Sequence, residues 1–394
     1  MNEYIDTTYW IAVAHLANWH KERINRFIIN IIHENAMKWS EFFALNKNDW
    51  KELYPFLDKE LNDLENTRKD LPRIAFIAEQ LQNEGFQIIP INSQFYPKAL
   101  KENLKIKDSP PILYIKGKKD LLQEEAVAIV GSRNAGNESL KFTDTITKKA
   151  VKEGRVIISG YARGVDRKAL DSAIEANGKC IVVLPQGILT FQSGFNKYYE
   201  PIVDGQVLIV STFPPKANWS VGLAMERNKY IYGLAREIYV AESNSKGGTW
   251  EGAMDGLKRG RKIYVRYPEA HEKNANMLLI EKGAIPVTID GEIIDIQSNI
   301  IFSSYTSTQL KSVNEMELSY GNKNRDIEKE ILELLKKGTF TAKQIIDELN
   351  LNWKSRKLTE FLKNCKNVQT VKGKPLKFTR NDIEYQKTLF NVCE

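Results

Sequence analysis

Cysteine and histidine are scarce in this chain of 394 residues, and their scarcity excludes much chemistry. The three cysteines, Cys180, Cys365 and Cys393, lie far apart without metal-ligand spacing, so a structural metal is not expected. Cys180 is expected as a small core residue opening a strand. The four histidines (His15, His20, His33, His271) supply no His-based catalytic set. No apolar run approaches the roughly 20 residues that a bilayer demands. The opening Met1-Asn-Glu-Tyr-Ile-Asp6 lacks the basic region and apolar run of a secretory signal. A cytoplasmic protein without membrane association is the expectation. What is present is ordinary for a soluble globular chain: 42% hydrophobic and 27% charged residues, enough for two or three domains. The formal charge of +7 favours an anionic partner, although so modest an excess is weak evidence alone.

Four segments differ in pattern. Residues 1–85 repeat apolar residues at helical spacing, with Trp10, Trp19 and Trp39 as core fillers, and predict an N-terminal helical domain. Residues 86–290 alternate short β-rich runs with helical stretches. The runs include Ile112–Ile115, Ala126–Val130, Val156–Ser159, Cys180–Leu184, Val207–Ser211, Ile238–Ala241 and Ile263–Arg266. Most are almost continuously apolar, as in strands covered on both faces. The fold class expected is α/β, a doubly wound parallel sheet. Residues 291–324 are rich in Ser, Asn and Thr and predict a linker. Residues 325–394 begin with a helix face of Ile327, Ile331, Leu334 and Leu335. A capping box, Thr341-Ala-Lys-Gln344, follows, then a third helix over Asn352–Asn364. A hairpin around Lys372-Gly-Lys374 completes a winged-helix pattern. From Asn352 to Arg380 nine Lys or Arg stand against one acid, Glu360, which suits DNA or a protein dock equally.

The chemistry should collect where strands end, because open α/β sheets bind ligands beyond their carboxyl edges. Gly131, Ser132 and Arg133 follow one strand; Gly160, Tyr161, Arg163, Gly164 and Asp166 follow the next. Small-residue turns before helices leave amide hydrogens and a partial positive charge free for phosphate. Arg227-Asn228-Lys229 is read as opening a helix, where the dipole disfavours cations and so argues for a functional role. Lys246-Gly247-Gly248-Thr249 stands at another helix start, with Thr249 and Asp166 as expected N-caps. Arg133, Arg163, Arg227, Lys229 and Lys246 would neutralise phosphates, and Tyr161 and Trp250 would stack bases. Five phosphates predict a log–log salt slope near −3.5 on a single strand.

Val130-Gly-Ser-Arg133, Ser159-Gly-Tyr-Ala-Arg-Gly-Val-Asp166, Arg227-Asn-Lys229, Gly260-Arg-Lys-Ile-Tyr-Val-Arg266 and Asn276-Met-Leu-Leu-Ile-Glu-Lys-Gly-Ala284 together resemble the DprA/Smf family, over roughly Phe86 to Val287. That resemblance implies an extended Rossmann-like core, single-stranded DNA binding, delivery to a RecA-type recombinase, homodimerisation and a C-terminal winged domain. Departures stand at Ala169-Leu170, Thr212, Lys229 and Lys246-Gly-Gly-Thr-Trp-Glu251. They leave open an orthodox transformation protein or a divergent, defence-associated member.

Two functions fit these residues. One is the DNA binder, with neither cofactor nor catalytic residue. The other starts from Gly247-Gly-Thr-Trp-Glu251, which is similar to a turn of Lonely-guy-type nucleotide phosphoribohydrolases. There Glu251 would stabilise an oxocarbenium-like centre while Arg133 holds the phosphate. A nucleotide sensor without turnover is a third possibility.

Overall fold

The computed structural model describes residues 3–295, 330–349, 351, 355–364, 368–371 and 376–380. They fall into two compact units, Met1–Asp295 and Ile296–Glu394. The expected linker, Cys365, Cys393 and the Lys372-Gly-Lys374 turn lie outside the described residues.

The first unit opens with five helices: α1 (Glu3–Ala14), α2 (Lys21–Ile28), α3 (Trp39–Ala44), α4 (Lys47–Leu53) and α5 (Asp58–Asn83), with a π-helical turn, Ile29–Glu34, continuing α2. Aromatic residues fill the space between them. Phe27, Trp39, Phe42 and Trp50 are fully buried, and Phe42 stacks on Trp50 at 5.3 Å. Trp10 is buried as expected, and Trp19 packs on the same cluster half-buried. Each such side chain contributes about 1.5–3 kcal/mol by leaving water.

A nine-stranded sheet follows. Its strands are β1 (Gln87–Pro90), β2 (Ile112–Lys116), β3 (Ala126–Gly131), β4 (Val156–Ser159), β5 (Cys180–Val183), β6 (Val207–Ser211), β7 (Glu237–Glu242), β8 (Ile263–Arg266) and β9 (Ile285–Val287). They lie in the order β1-β2-β6-β5-β4-β3-β7-β8-β9. From β6 to β9 every pairing is parallel. The helices α6 (Lys98–Asp108), α7 (Asn137–Lys152), α8 (Val165–Glu175), α9 (Gln192–Val203), α10 (Val221–Leu234), α11 (Gly248–Lys258) and α12 (Asn276–Glu281) connect or flank them.

Alternation along the strands divides the core into two layers. Val127 and Ile129 face the cluster that holds Phe142 and Ala169, whereas Ala126, Ala128 and Val130 face the one that holds Tyr230 and Ala253. Cys180 is buried at the start of β5, and burial pushes its thiol up to about 12.

One expectation needs correcting. β2 pairs antiparallel with both β1 and β6, so that edge of the sheet is not parallel. A run such as Ile112-Leu-Tyr-Ile115, buried on both faces, presents the same apolar pattern in either direction, so composition does not encode its polarity.

In the second unit, a helical stretch at 330–335 precedes β10 (Phe340–Thr341), α13 (Ala342–Glu348), α14 (Ser355–Asn364), β11 (Val368–Val371) and β12 (Lys377–Arg380). The three strands form an antiparallel sheet in the order β10-β12-β11. The expected capping box is present: the Thr341 hydroxyl accepts from Gln344 N–H while the Gln344 side chain accepts from Thr341 N–H. Ile331, Leu334, Leu335, Ile345, Leu358, Leu362 and Phe378 make the core of this unit.

Candidate nucleic-acid interface

Sheet order decides where a ligand fits. From β3 the chain moves outward through β4, β5 and β6, then returns to place β7 on the other side of β3. The loops leaving β3 and β7 therefore diverge, and a crevice opens between them at the carboxyl edge. The larger of two neighbouring cavities there, about 370 Å³, is lined by Gly131, Ser132 and Arg133 after β3, and by Lys246, Gly247, Gly248 and Thr249 after β7. Arg227 and Asn228 of α10 also line it. A second cavity of about 250 Å³ adjoins it, lined by Tyr161 and Arg163 and sharing Arg133, Arg227 and Trp219 with the first.

Of the five expected cations, four meet at this crevice, and they do so in two ways. Arg133, Arg163 and Lys246 are exposed on the rim. Arg227 is 4% exposed. Its Nη1 donates to the Val183 carbonyl at 3.1 Å and lies 3.9 Å from the Asp166 carboxylate. Burial draws the Arg227 guanidinium below its usual range and pushes the Asp166 carboxyl above its own, and each partner opposes the other's shift. Gly160 makes room for the pair, since a Cβ there would fall 1.6 Å from Arg227 Nη1 and 2.5 Å from Asp166 Oδ2. The Nε of Arg227 has no hydrogen-bond partner among the described residues.

Several expectations about helix starts are overturned. α10 begins at Val221, where the Ser220 hydroxyl accepts from Leu223 N–H at 3.2 Å, so Arg227-Asn228-Lys229 lies in its body rather than at its start. The dipole reasoning about those cations therefore fails. Gly164 (φ +78°), not Asp166, stands at the N-cap of α8, and Gly247 (φ +97°), not Thr249, at that of α11. Neither is a side-chain cap, because the glycines supply a left-handed backbone that a bulkier residue would strain.

The two turns read as phosphate-ready are occupied from within. The Glu242 carboxylate accepts from Gly136 N–H at 2.9 Å and from the Ser139 hydroxyl at 2.8 Å at the start of α7. Ser132 N–H donates to the Glu242 carbonyl, and Asn134 N–H to the Ser132 hydroxyl. Beyond β4, Asp166 is held by the Ala162 N–H and faces Arg227, while the Ser159 hydroxyl donates to the Ile129 carbonyl at 2.6 Å. A helix start already holding a carboxylate does not take a phosphate too.

Five expected residues line neither cavity: Gly160, Gly164, Lys229, Trp250 and Glu251. Lys229 lies 3.6 Å from Asp108. Trp250 packs half-buried against the core, and Glu251 is exposed on the first turn of α11. Tyr161 lines the second cavity, but its ring is engaged edge-on by Phe191 at 4.7 Å and covered by the Arg167 guanidinium at 3.8 Å. Gly164 packs under the β3 turn, where a Cβ would meet the Ser132 carbonyl at 2.3 Å.

Trp219 is the residue that sequence reasoning missed. It lines both cavities and is 49% exposed. No aromatic or cationic group packs on its ring among the described residues. A signal was available: Trp219 stands between Asn218 and Ser220 after a Pro-Pro pair, outside any apolar period that would bury it.

Comparison with known proteins identifies the family and the fold. The family model for DNA recombination-mediator protein A matches residues 87–297. Protein Smf of Synechocystis is 27% identical over 268 residues, 65% of this chain and 66% of that protein. The DNA processing protein DprA of Bacillus subtilis is 29% identical over 226 residues, 57% of this chain and 74% of its own length. The crystal structure of DprA from Streptococcus pneumoniae superposes with a TM-score of 0.55 at 23% identity, covering 73% of this chain and 95% of that one, and shares its fold. The match to the Synechocystis protein thus spans just under two thirds of that relative. This chain belongs to the family of DNA recombination-mediator protein A.

Proposed function

We propose that this member of the family binds single-stranded DNA in the crevice between β3 and β7 and passes it to a RecA-type recombinase. The observation that carries the DNA-binding step is the rim. Arg133, Arg163 and Lys246 stand exposed around an exposed Trp219 at the switch point of the sheet. Cations neutralise phosphates, and a bare indole stacks an unpaired base whatever its sequence, at about 1–3 kcal/mol per base. Cavities of about 370 and 250 Å³ accommodate a base with its phosphate, whereas the paired bases of a duplex present no free face to the indole. Gly131, Ser132, Asn228, Gly247, Gly248 and Thr249 line the larger cavity, while Gly160 and Gly164 let the turns beside it pack closely. Arg227 braces the floor beneath it. Relatives named as DNA processing proteins support this role.

The recombinase hand-off, a homodimer and a cytoplasmic location complete the proposal. No helix among the described residues is long and apolar enough to cross a membrane. We further propose the division 1–85, 86–290, 291–324 and 325–394, with the last as a winged helix. Its supporting feature is the pairing of α13 and α14 with a three-stranded antiparallel sheet.

Fluorescence anisotropy of the full chain with labelled oligo-dT and with a matching duplex tests the reading. Preference for the single strand is expected, weakened by about 1–3 kcal/mol in Trp219→Ala. Equal affinity for both forms, unchanged in that variant, would overturn it.

A further inference from the structure

Away from the DNA crevice, a third cavity of about 340 Å³ opens between α2 with its π-helical turn and the β1–α6 segment. Ile28, Ile91 and Ile106 make its apolar wall. Asn25 and Ser109, 2% and 1% exposed, also line it. Asn25 Nδ2 donates to the Ile106 and Ser109 carbonyls, at 2.8 and 2.9 Å, which fixes the orientation of the amide. Its Oδ1 and the Ser109 hydroxyl are both buried without a partner among the described residues. Buried polar atoms cost free energy unless they are satisfied, and both of these belong to residues that line this cavity.

The charge of the cavity is one-sided. Lys101 and Lys105 line it, and no carboxylate does among the described residues. Lys105 holds φ +57° and ψ −174° inside α6, a conformation that is almost the preserve of glycine. Lysine there brings an ammonium to the cavity at a backbone cost. The adjoining π-helical turn is a second irregularity of a kind that accompanies function.

We propose that this cavity binds a small amphipathic carboxylic acid. Its apolar body lies on Ile28, Ile91 and Ile106, its carboxylate pairs with Lys101 and Lys105, and a hydroxyl or N–H on the body donates to Asn25 Oδ1.

Calorimetric titration of the full chain with 4-hydroxyphenylacetate tests this directly. Saturable one-to-one binding is expected, at least about tenfold weaker for 4-hydroxyphenylethanol, which keeps the body and hydroxyl but lacks the charge. Lys105→Gly relieves the backbone and should melt no lower than the parent, yet bind the acid about tenfold more weakly. Lys101→Gln, a change at an exposed position of α6, should lose affinity in the same way. Oligo-dT affinity measured in parallel should not change in either variant, which separates this site from the DNA crevice. No saturation by the acid would mean that ordered water alone meets Asn25 and Ser109. That result, equal binding of the alcohol, or undiminished binding by both folded variants would overturn the proposal.

Discussion

Arg133 and Arg227 border the same cavities, yet their surroundings assign them different work. Arg133 is exposed and gives up little to meet a phosphate, so Arg133→Ala should weaken oligo-dT binding by about 1–3 kcal/mol and leave the melting temperature unchanged. Arg227 is enclosed with Asp166, and its loss would strand a buried carboxylate. Arg227→Ala should therefore destabilise the fold by about 3–5 kcal/mol, seen as a lower urea midpoint. A melting temperature that falls for Arg133→Ala and not for Arg227→Ala would reverse these assignments. Sequence spacing brought both arginines to one edge but could not rank them, because burial depends on what packs above. Trp219 went unnoticed for the converse reason. A lone tryptophan in a loop belongs to no period, and its exposure emerges only when the loop is placed.

At the scale of elements, the strands and the crossover helices of the central sheet were largely legible, since fully buried parallel strands are uninterrupted apolar runs. The helix starts were not. The chain marks the start of α10 with Ser220, a single polar residue in a loop that holds several, whereas Arg227-Asn228-Lys229 drew attention by charge. The turns after β3 and β4 were legible as tight, but nothing in their own residues announced that Glu242, from a distant strand, fills the first. Gly160 illustrates how tightly the second is built. Gly160→Ala would drive a methyl into Arg227 and Asp166, so about 1–3 kcal/mol of stability should be lost, together with strand binding. Wild-type denaturation and affinity in this variant would contradict the buried pair as the floor of the site.

Across the whole first unit, the N-terminal helices are fastened to the sheet by polar contacts as well as by aromatic packing. His15, in the turn after α1, is half-buried, with Nε2 2.9 Å from the Tyr114 hydroxyl of β2, and Lys21 of α2 pairs with Glu226 of α10. Burial lowers the His15 imidazole to about 4. Its unfolded value is near 6.5, so between pH 6.5 and 4 the unfolded chain binds a proton that the folded chain refuses. Stability should therefore fall as pH drops through that window, by about 2 kcal/mol from pH 7 to 5. His15→Gln should flatten this part of the profile in urea titrations, and an unaltered slope would remove His15 as its source. These fastenings join residues about a hundred or more apart and leave no local trace.

The central claim is that Arg133, Arg163 and Lys246 hold the phosphates of a single strand. It is tested most directly by the salt dependence of oligo-dT binding in the full chain and in a variant with all three residues changed to glutamine. Three phosphate contacts rather than five predict that the log–log slope becomes shallower by about 2 in the variant, because three fewer counterions are released, whatever the basic C-terminal unit contributes. Identical slopes for the two proteins would contradict the account.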